Sequence, residues 1–348
     1  MKLTQLLLSL CCVLGALNAQ ALGDEGHKTV GAIADRLLVG TKAEERVKAL
    51  LLPGESLESI SIWADCAKGR FCGEPTSEMT AFTLQNPKHA GYHYINLPVQ
   101  SSAYAAGAVG STDHDIVRTL QQAIAVLQGN DTEATNPHRF TPRQALLMIA
   151  HLVGDIHQPL HVGAAYINSD NQFVTPSTQQ QVDGISIFDL LGGNNLHIED
   201  KATWTARDVE TFNREQVQAD NKSRLGKPLH LFWDVTVVEK LMRDLKLNTV
   251  TEFSSKLMTE LPEKSTITGD AITWPEQWAN QSLSTAKLAY ADITIIDKVK
   301  MTTRKGVEYT IWYGQLPTNY VENSTAITRK QIASAGVQLA ELLKKIWP

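Results

Sequence analysis

In the stretch HLVGDIHQPLH, residues 151–161, His151 and Asp155 stand four positions apart and His161 follows a proline. On a helix that spacing places the imidazole and the carboxylate one turn apart on one face. Pro159 stops the helix, so His161 lies beyond the break and is free to point elsewhere. Two imidazoles and a carboxylate around one helix end suit a divalent metal ion. A single such triad is equally compatible with a helix-end histidine that caps a carbonyl. The segment LHLFWDVTVVEKL repeats the construction, with His230 and Asp234 at the same spacing. Histidine is scarce, ten in 348 residues, so two pairs built alike favour the metal.

Helices must position these pairs. TPRQALLMIAHLVGD has Ala145, Leu146, Ile149, Leu152, Val153 and Ile156 at helical spacing, and Thr141 followed by Pro142 is a natural start. Leu229, Phe232, Val235 and Val238 give the second pair an apolar face. Helices are also predicted over 26–38, over 41–52 up to Pro53-Gly54, in LESISIWADCA around Asp65, and over 113–128. Residues 86–99 alternate aromatic and apolar side chains and read as extended structure or loop. Residues 164–191 are rich in Ser, Thr, Gln, Asn and Asp, with β-like pieces QFV and ISIFDL. They read as a surface excursion, a hairpin ending at Gly192-Gly193-Asn194. Helical character returns near 206 and continues over 229–245, 252–261, 274–290 and 328–346. The two metal-type helices flank the excursion, and no linker or repeat divides the chain. The expectation is a single all-α, mainly helical domain over 22–348 with a small polar β-like insertion at about 164–191.

Residues 1–21 read as a signal peptide: Lys2, an apolar run too short to span a membrane, and Ala19-Gln20-Ala21 as a cleavage site. Cleavage would leave an exported protein, periplasmic or secreted, with no membrane anchor and Leu22 as its first residue. Cys66 and Cys72 would then be the remaining cysteines, and an oxidising compartment favours a disulfide between them; free thiols would fit the cytosol. The processed chain carries 31 basic against 37 acidic residues, a net −6. That balance excludes nucleic-acid binding by a broad basic surface. A phosphate-handling protein of this charge needs bound cations at one place.

The side chains that could converge are His27, Asp65, His93, His151, Asp155, His161, His230 and Asp234. Imidazoles and carboxylates are zinc ligands, and at three or four per ion this set serves two or three ions. With Leu22-Gly23-Asp24-Glu25-Gly26-His27, Trp63-Ala64-Asp65, His93-Tyr94, HLVGDIHQPLH, Gly192-Gly193-Asn194 and Leu229-His230-Leu231-Phe232-Trp233-Asp234, the chain resembles a family of trinuclear-zinc enzymes. These are the fungal single-strand-specific nucleases and 3′-nucleotidases, the plant senescence nucleases and, more distantly, the bacterial zinc phospholipases C. The ordered match runs from Leu22 to the last helix, with 164–191 as an insertion.

The resemblance implies three Zn²⁺ per chain. Asp65, His93, His151 and Asp155 would hold the first. Asp155 would bridge to a second, completed by His27 and the backbone amine and carbonyl of Leu22; His161, His230 and Asp234 would hold the third. Leu22 stands where the family usually has Trp. The implied reaction is hydrolysis of single-stranded DNA, RNA or 3′-nucleotides to 5′-phosphates by a zinc-bridging hydroxide, which Asp155 would orient. Lys68 matches a basic residue that neutralises phosphate charge, although a lysine in a polar loop is commonly just solvated. Tyr94 matches an aromatic that stacks on a base, or else is a core aromatic. Asn96 occupies the place of an acidic residue that reads the base edge. Gly193 and Asn194 belong to the implied substrate-binding set. His157 reads as a supporting residue rather than a ligand. No obligate protein partner is evident. The alternatives are a zinc phospholipase C, which favours glutamate where Asp234 stands, and a non-catalytic zinc-binding protein.

Overall fold

The computed structural model describes residues 22–69, 72–199, 226–261, 267–302, 306 and 308–348. The leader and the helical start expected near 206 lie outside these residues. In chain order the helices are α1 (Gly23–Leu38), α2 (Lys42–Leu50), α3 (Leu57–Ile60), α4 (Trp63–Cys66), α5 (Ser77–Gln85), α6 (Ile116–Leu127) and α7 (Pro142–His157). Next comes α8, built from Leu229–Leu231, a π turn Phe232–Thr236 and Val237–Asp244. Three more follow: α9 (Val250–Met258), α10 (Trp274–Tyr290) and α11 (Tyr320–Ile346). The domain is mainly helical, as expected.

α7 is the central helix. Thr141 caps it by accepting from Gln144 N, Gln144 returns the bond to Thr141 N, and Pro142 occupies the first turn. From Gln144 to His157 every residue is buried, because α6, α10, α11 and α1 pack around it. A helix enclosed on all sides needs apolar residues beyond one stripe, and Leu147, Met148 and Ala150 supply them.

Strands β1 (Leu97–Pro98) and β2 (Gly163–Ala164) pair in parallel just beyond α7. Ile95, Leu97 and Val99 donate to the carbonyls of His161, Val162 and Ala164. This short zip aligns the loop carrying His93 with the loop carrying His161. The excursion is a three-stranded antiparallel sheet, with β3 (Tyr166–Asn168) between β4 (Phe173–Val174) and β5 (Ile187–Asp189). A second sheet comprises β6 (Leu196–Ile198), β7 (Lys227–Pro228), β8 (Thr294–Thr302) and β9 (Glu308–Gln315), in the order β7-β6-β9-β8. The β8–β9 hairpin adds β structure outside the expected excursion, in a stretch whose sequence gave no reading.

Two apolar cores meet near the end of α7. The larger lies among the helices and includes Leu22, Ile33, Val153 and Leu339. The smaller lies beneath the second sheet and includes Leu160, Leu229, Trp233 and Trp312. Ile156 belongs to the first and Leu160 to the second, so the segment with Asp155 and His161 crosses the seam.

Candidate metal centre

All eight expected side-chain ligands are buried, and they converge at this seam. They form three groups: His27, His151 and Asp155; Asp65, His93 and His151; and His161, His230 and Asp234. α1 supplies His27, α4 supplies Asp65, α7 supplies His151 and Asp155, and α8 supplies His230 and Asp234. The 3-10 turns before β1 and after α7 supply His93 and His161.

Asp155 presents its two oxygens to different partners. Oδ1 faces His27 Nε2 at 3.2 Å, while Oδ2 faces His93 Nδ1 at 2.9 Å and His151 Nε2 at 3.1 Å. Asp65 Oδ1 lies 3.5 Å from His151 Nε2 and 3.6 Å from His93 Nδ1. In the third group His161 Nε2 and His230 Nε2 lie 3.6 and 3.2 Å from Asp234. Four donors tetrahedrally around zinc at about 2.0–2.1 Å stand about 3.3 Å apart. These separations match that edge. His27 Nε2, Asp155 Oδ1, His161 Nε2 and Asp234 Oδ2 are buried without a hydrogen-bond partner among the described residues. Such groups are costly unless an ion satisfies them. The donor set therefore fits metal ions.

Three imidazoles are oriented by backbone carbonyls. His151, His161 and His230 donate Nδ1–H to Ser61 O at 2.6 Å, His93 O at 2.7 Å and Gly192 O at 2.8 Å. That fixes the tautomer and turns each Nε2 towards the centre. Burial pushes the pKa of His27, His93 and His230 down, which keeps them neutral as ligation requires. Burial opposes a proton on His151 too, but Asp155 and Asp65 outweigh it and push that group up.

Lys68 is neither exposed nor merely solvated. Its ammonium pairs with Asp65, and only 14% of the side chain is accessible. Burial opposes its charge, yet Asp65, Asp155 and Asp234 hold its pKa above the usual value. Cys66 and Cys72 form a disulfide beside it, as expected. Leu22, in left-handed backbone at the start of α1, directs its nitrogen to Asp234 Oδ1 at 3.3 Å, while its carbonyl accepts from Gly26. Tyr94 is 43% exposed, so it is not a core aromatic. Asn96 is buried and donates to Asp189 Oδ2 at 2.8 Å. Gly192 has φ +57°, and a Cβ there would lie 2.4 Å from Leu160 O. Gly193 packs closely on His230 N, and Asn194 spends its amide on Leu191 O. These residues shape the wall behind His230. His157 is in the core, bonded to Val153 O and against Trp278.

Two further residues were given no role by the sequence reading, although Gln158 lies inside HLVGDIHQPLH. Gln158 Nε2 donates to Asp234 Oδ1 at 2.6 Å, bracing the third group across the seam. Asp189 comes from the excursion and has no spacing relation to any ligand.

A family model described as S1/P1 nuclease matches residues 22–348. The chain is 23% identical to Endonuclease 2 of Arabidopsis thaliana over 353 residues, covering 100% of this chain and 98% of that protein. It is 25% identical to Endonuclease 1 of the same plant, covering 98% and 92%. Endonuclease 4 is 24% identical, covering 95% and 90%.

Proposed function

The chain belongs to the S1/P1 nuclease family and is a nuclease, a hydrolase of phosphodiester bonds, and from that premise we propose a three-zinc enzyme of single-stranded DNA, RNA and 3′-nucleotides that leaves 5′-phosphates. The observation that carries the metal is a set of buried donors spaced at a tetrahedral edge, four of whose atoms, His27 Nε2, Asp155 Oδ1, His161 Nε2 and Asp234 Oδ2, have no hydrogen-bond partner among the described residues. Asp65, His93, His151 and Asp155 would hold one ion; Asp155 Oδ1, His27 and the Leu22 backbone a second; His161, His230 and Asp234 a third. Bound there, zinc supplies Lewis acidity towards a phosphate oxygen and lowers the pKa of water from about 15.7 towards 7.

The chain's own residues do the rest. Lys68, held charged beside Asp65, neutralises a phosphate entering the centre. Tyr94, one residue from the ligand His93, offers an exposed ring on which a base stacks, with Asn96 beside it. Stacking needs an unpaired base, which favours single strands and tolerates sequence. Asp155, held between His27, His93 and His151, fixes the geometry shared by two of the groups. Gly193 and Asn194 keep the opposite wall close to His230. We assign residues 1–21 to an export leader, because the disulfide suits an oxidising compartment. Among the described residues no helix is long and apolar enough to cross a membrane.

The test is an assay of the processed protein on single-stranded DNA, duplex DNA, 3′-AMP and lecithin, with and without chelator. Chelator-sensitive hydrolysis of single strands and 3′-AMP, restored by zinc, is the expected result. Equal rates on duplex would overturn the strand preference, and full activity in chelator would overturn the metal. Phosphocholine release would instead assign the centre to phospholipids.

A further inference from the structure

Asp189 ends β5, where Tyr166 of β3 pairs with it. Its Oδ2 accepts from Asn96 Nδ2 at 2.8 Å and its Oδ1 from Leu191 N at 2.7 Å. Asn96 is itself held, since its carbonyl accepts from Tyr166 Oη at 2.6 Å. Just past Asp189 the backbone turns through left-handed Leu191, Gly192 and Gly193, and Gly192 O meets His230. The carboxylate is thus tied on one side to the loop of His93, Tyr94 and Asn96, and on the other to the wall behind His230. It stands between two parts of the metal centre without being a ligand.

Its partners are uncharged N–H donors, and no cation compensates its charge in these contacts. Burial lifts the carboxyl to about 6, which leaves it mostly ionised at neutral pH. A carboxylate has roughly four lone-pair sites, so two bonds leave about two free. Asp189 also lines a surface groove of about 570 Å³ with Phe188, Leu191, Asn195, Lys300 and Tyr309, within the size of small-molecule sites. Tyr94 lies outside that lining but close enough that the Asp189 charge, after burial, helps raise its phenol pKa. A half-buried acid with free acceptors, beside an exposed aromatic ring, recognises a neutral group with adjacent donors. Guanine presents N1–H and N2–H side by side on its pairing edge. Adenine and cytosine place one amino donor beside a ring acceptor. Uracil and thymine flank their single donor with carbonyls, which a carboxylate repels.

Resting on the function proposed above, we propose that Asp189, brought in by the 164–191 excursion, is a specificity-determining residue that accepts the paired N–H donors of a guanine base next to the scissile phosphate. A purely structural brace between β5 and the Asn96 loop would leave base preference unchanged, so the test reads preference rather than rate. Zinc-loaded wild type and Asp189→Asn are compared by kcat/KM on 3′-GMP, 3′-AMP, 3′-CMP and 3′-UMP. The ratio of guanine to adenine does not depend on how much of the variant folds. Wild type is expected to prefer 3′-GMP about tenfold, the discrimination of a bidentate pair, and the variant to approach parity. No guanine preference in wild type, or the same ratio in the variant, overturns the proposal while the nuclease reading stands. Failure of both proteins on every 3′-nucleotide and on single-stranded oligonucleotides overturns that reading and this proposal with it.

Discussion

Asp155 shares the first donor group with His27 through Oδ1 and reaches His93 of the second through Oδ2, whereas Asp234 lies in the third alone. Asp155→Asn is therefore expected to lose up to two zinc ions per chain by metal analysis, and Asp234→Asn one; equal losses would argue against a bridging role. The ligand protonation states carry a second expectation. His27, His93 and His230 stay neutral below the ordinary histidine pKa, while Asp155 and Asp65 hold a proton on His151 when no ion is bound. Against the effect of burial, Asp155 and Asp234 push His161 up in the same way, so zinc must displace protons at these groups, and uptake should release protons and weaken as pH falls. Calorimetry in buffers of different ionisation enthalpy measures it, and uptake without proton release would be contrary. Two ligand pairs, His151 with Asp155 and His230 with Asp234, were legible because His and Asp recur at helical spacing in a histidine-poor chain; the places of His27, Asp65 and His93 rested on the family resemblance. Ser61, His93 and Gly192 carbonyls were not, since a backbone acceptor leaves no mark in a residue string. Gln158 and Asp189 were missed for a related reason: their partners are 76 and 93 positions away.

The elements show which local rules held. Capping and periodicity gave α7 its start, its proline-stopped end and its two ligands. The second pair was expected on a regular helix, but Phe232–Thr236 is a π turn, a widening often found at functional sites. His230 and Asp234 still meet. β8 carries only a short alternation, with Val299 and Met301 half-buried between exposed Lys298, Lys300 and Thr302, and an irregularity between Ile295 and Asp297 interrupts it, so its period-2 signal is weak. Two substitutions separate positioning from stability. A Cβ on Gly154 would lie 2.7 Å from His27 Nδ1, so Gly154→Ala should displace that imidazole and lower zinc content. Thr141→Ala removes the α7 cap far from the ligands and should cost about 1 kcal/mol of stability with zinc content kept. Thermal unfolding and metal analysis on both variants check the contrast; a Gly154→Ala protein with full zinc would show that the close approach does not matter.

At the scale of the whole molecule, helix packing and the smaller sheet core each build one side of the centre, and Leu22 at the start of α1 closes it. Leu22 is buried with its nitrogen beside Asp234, so a residue added before it alters the site from within. If Leu22 is the first residue of the processed chain, its amine can ligate only when free and deprotonated. A chain extended by one alanine before Leu22 is expected to hold one zinc fewer than the processed form; an unchanged count would remove the chain start from the ligand set. Whether three ions sit in this cluster is read by anomalous scattering at the zinc edge from crystals of the processed, zinc-loaded protein. Three peaks are expected: one among Asp65, His93, His151 and Asp155, one between His27 and Asp155, and one among His161, His230 and Asp234. Peaks at other surfaces, or none within this cluster, would contradict that placement.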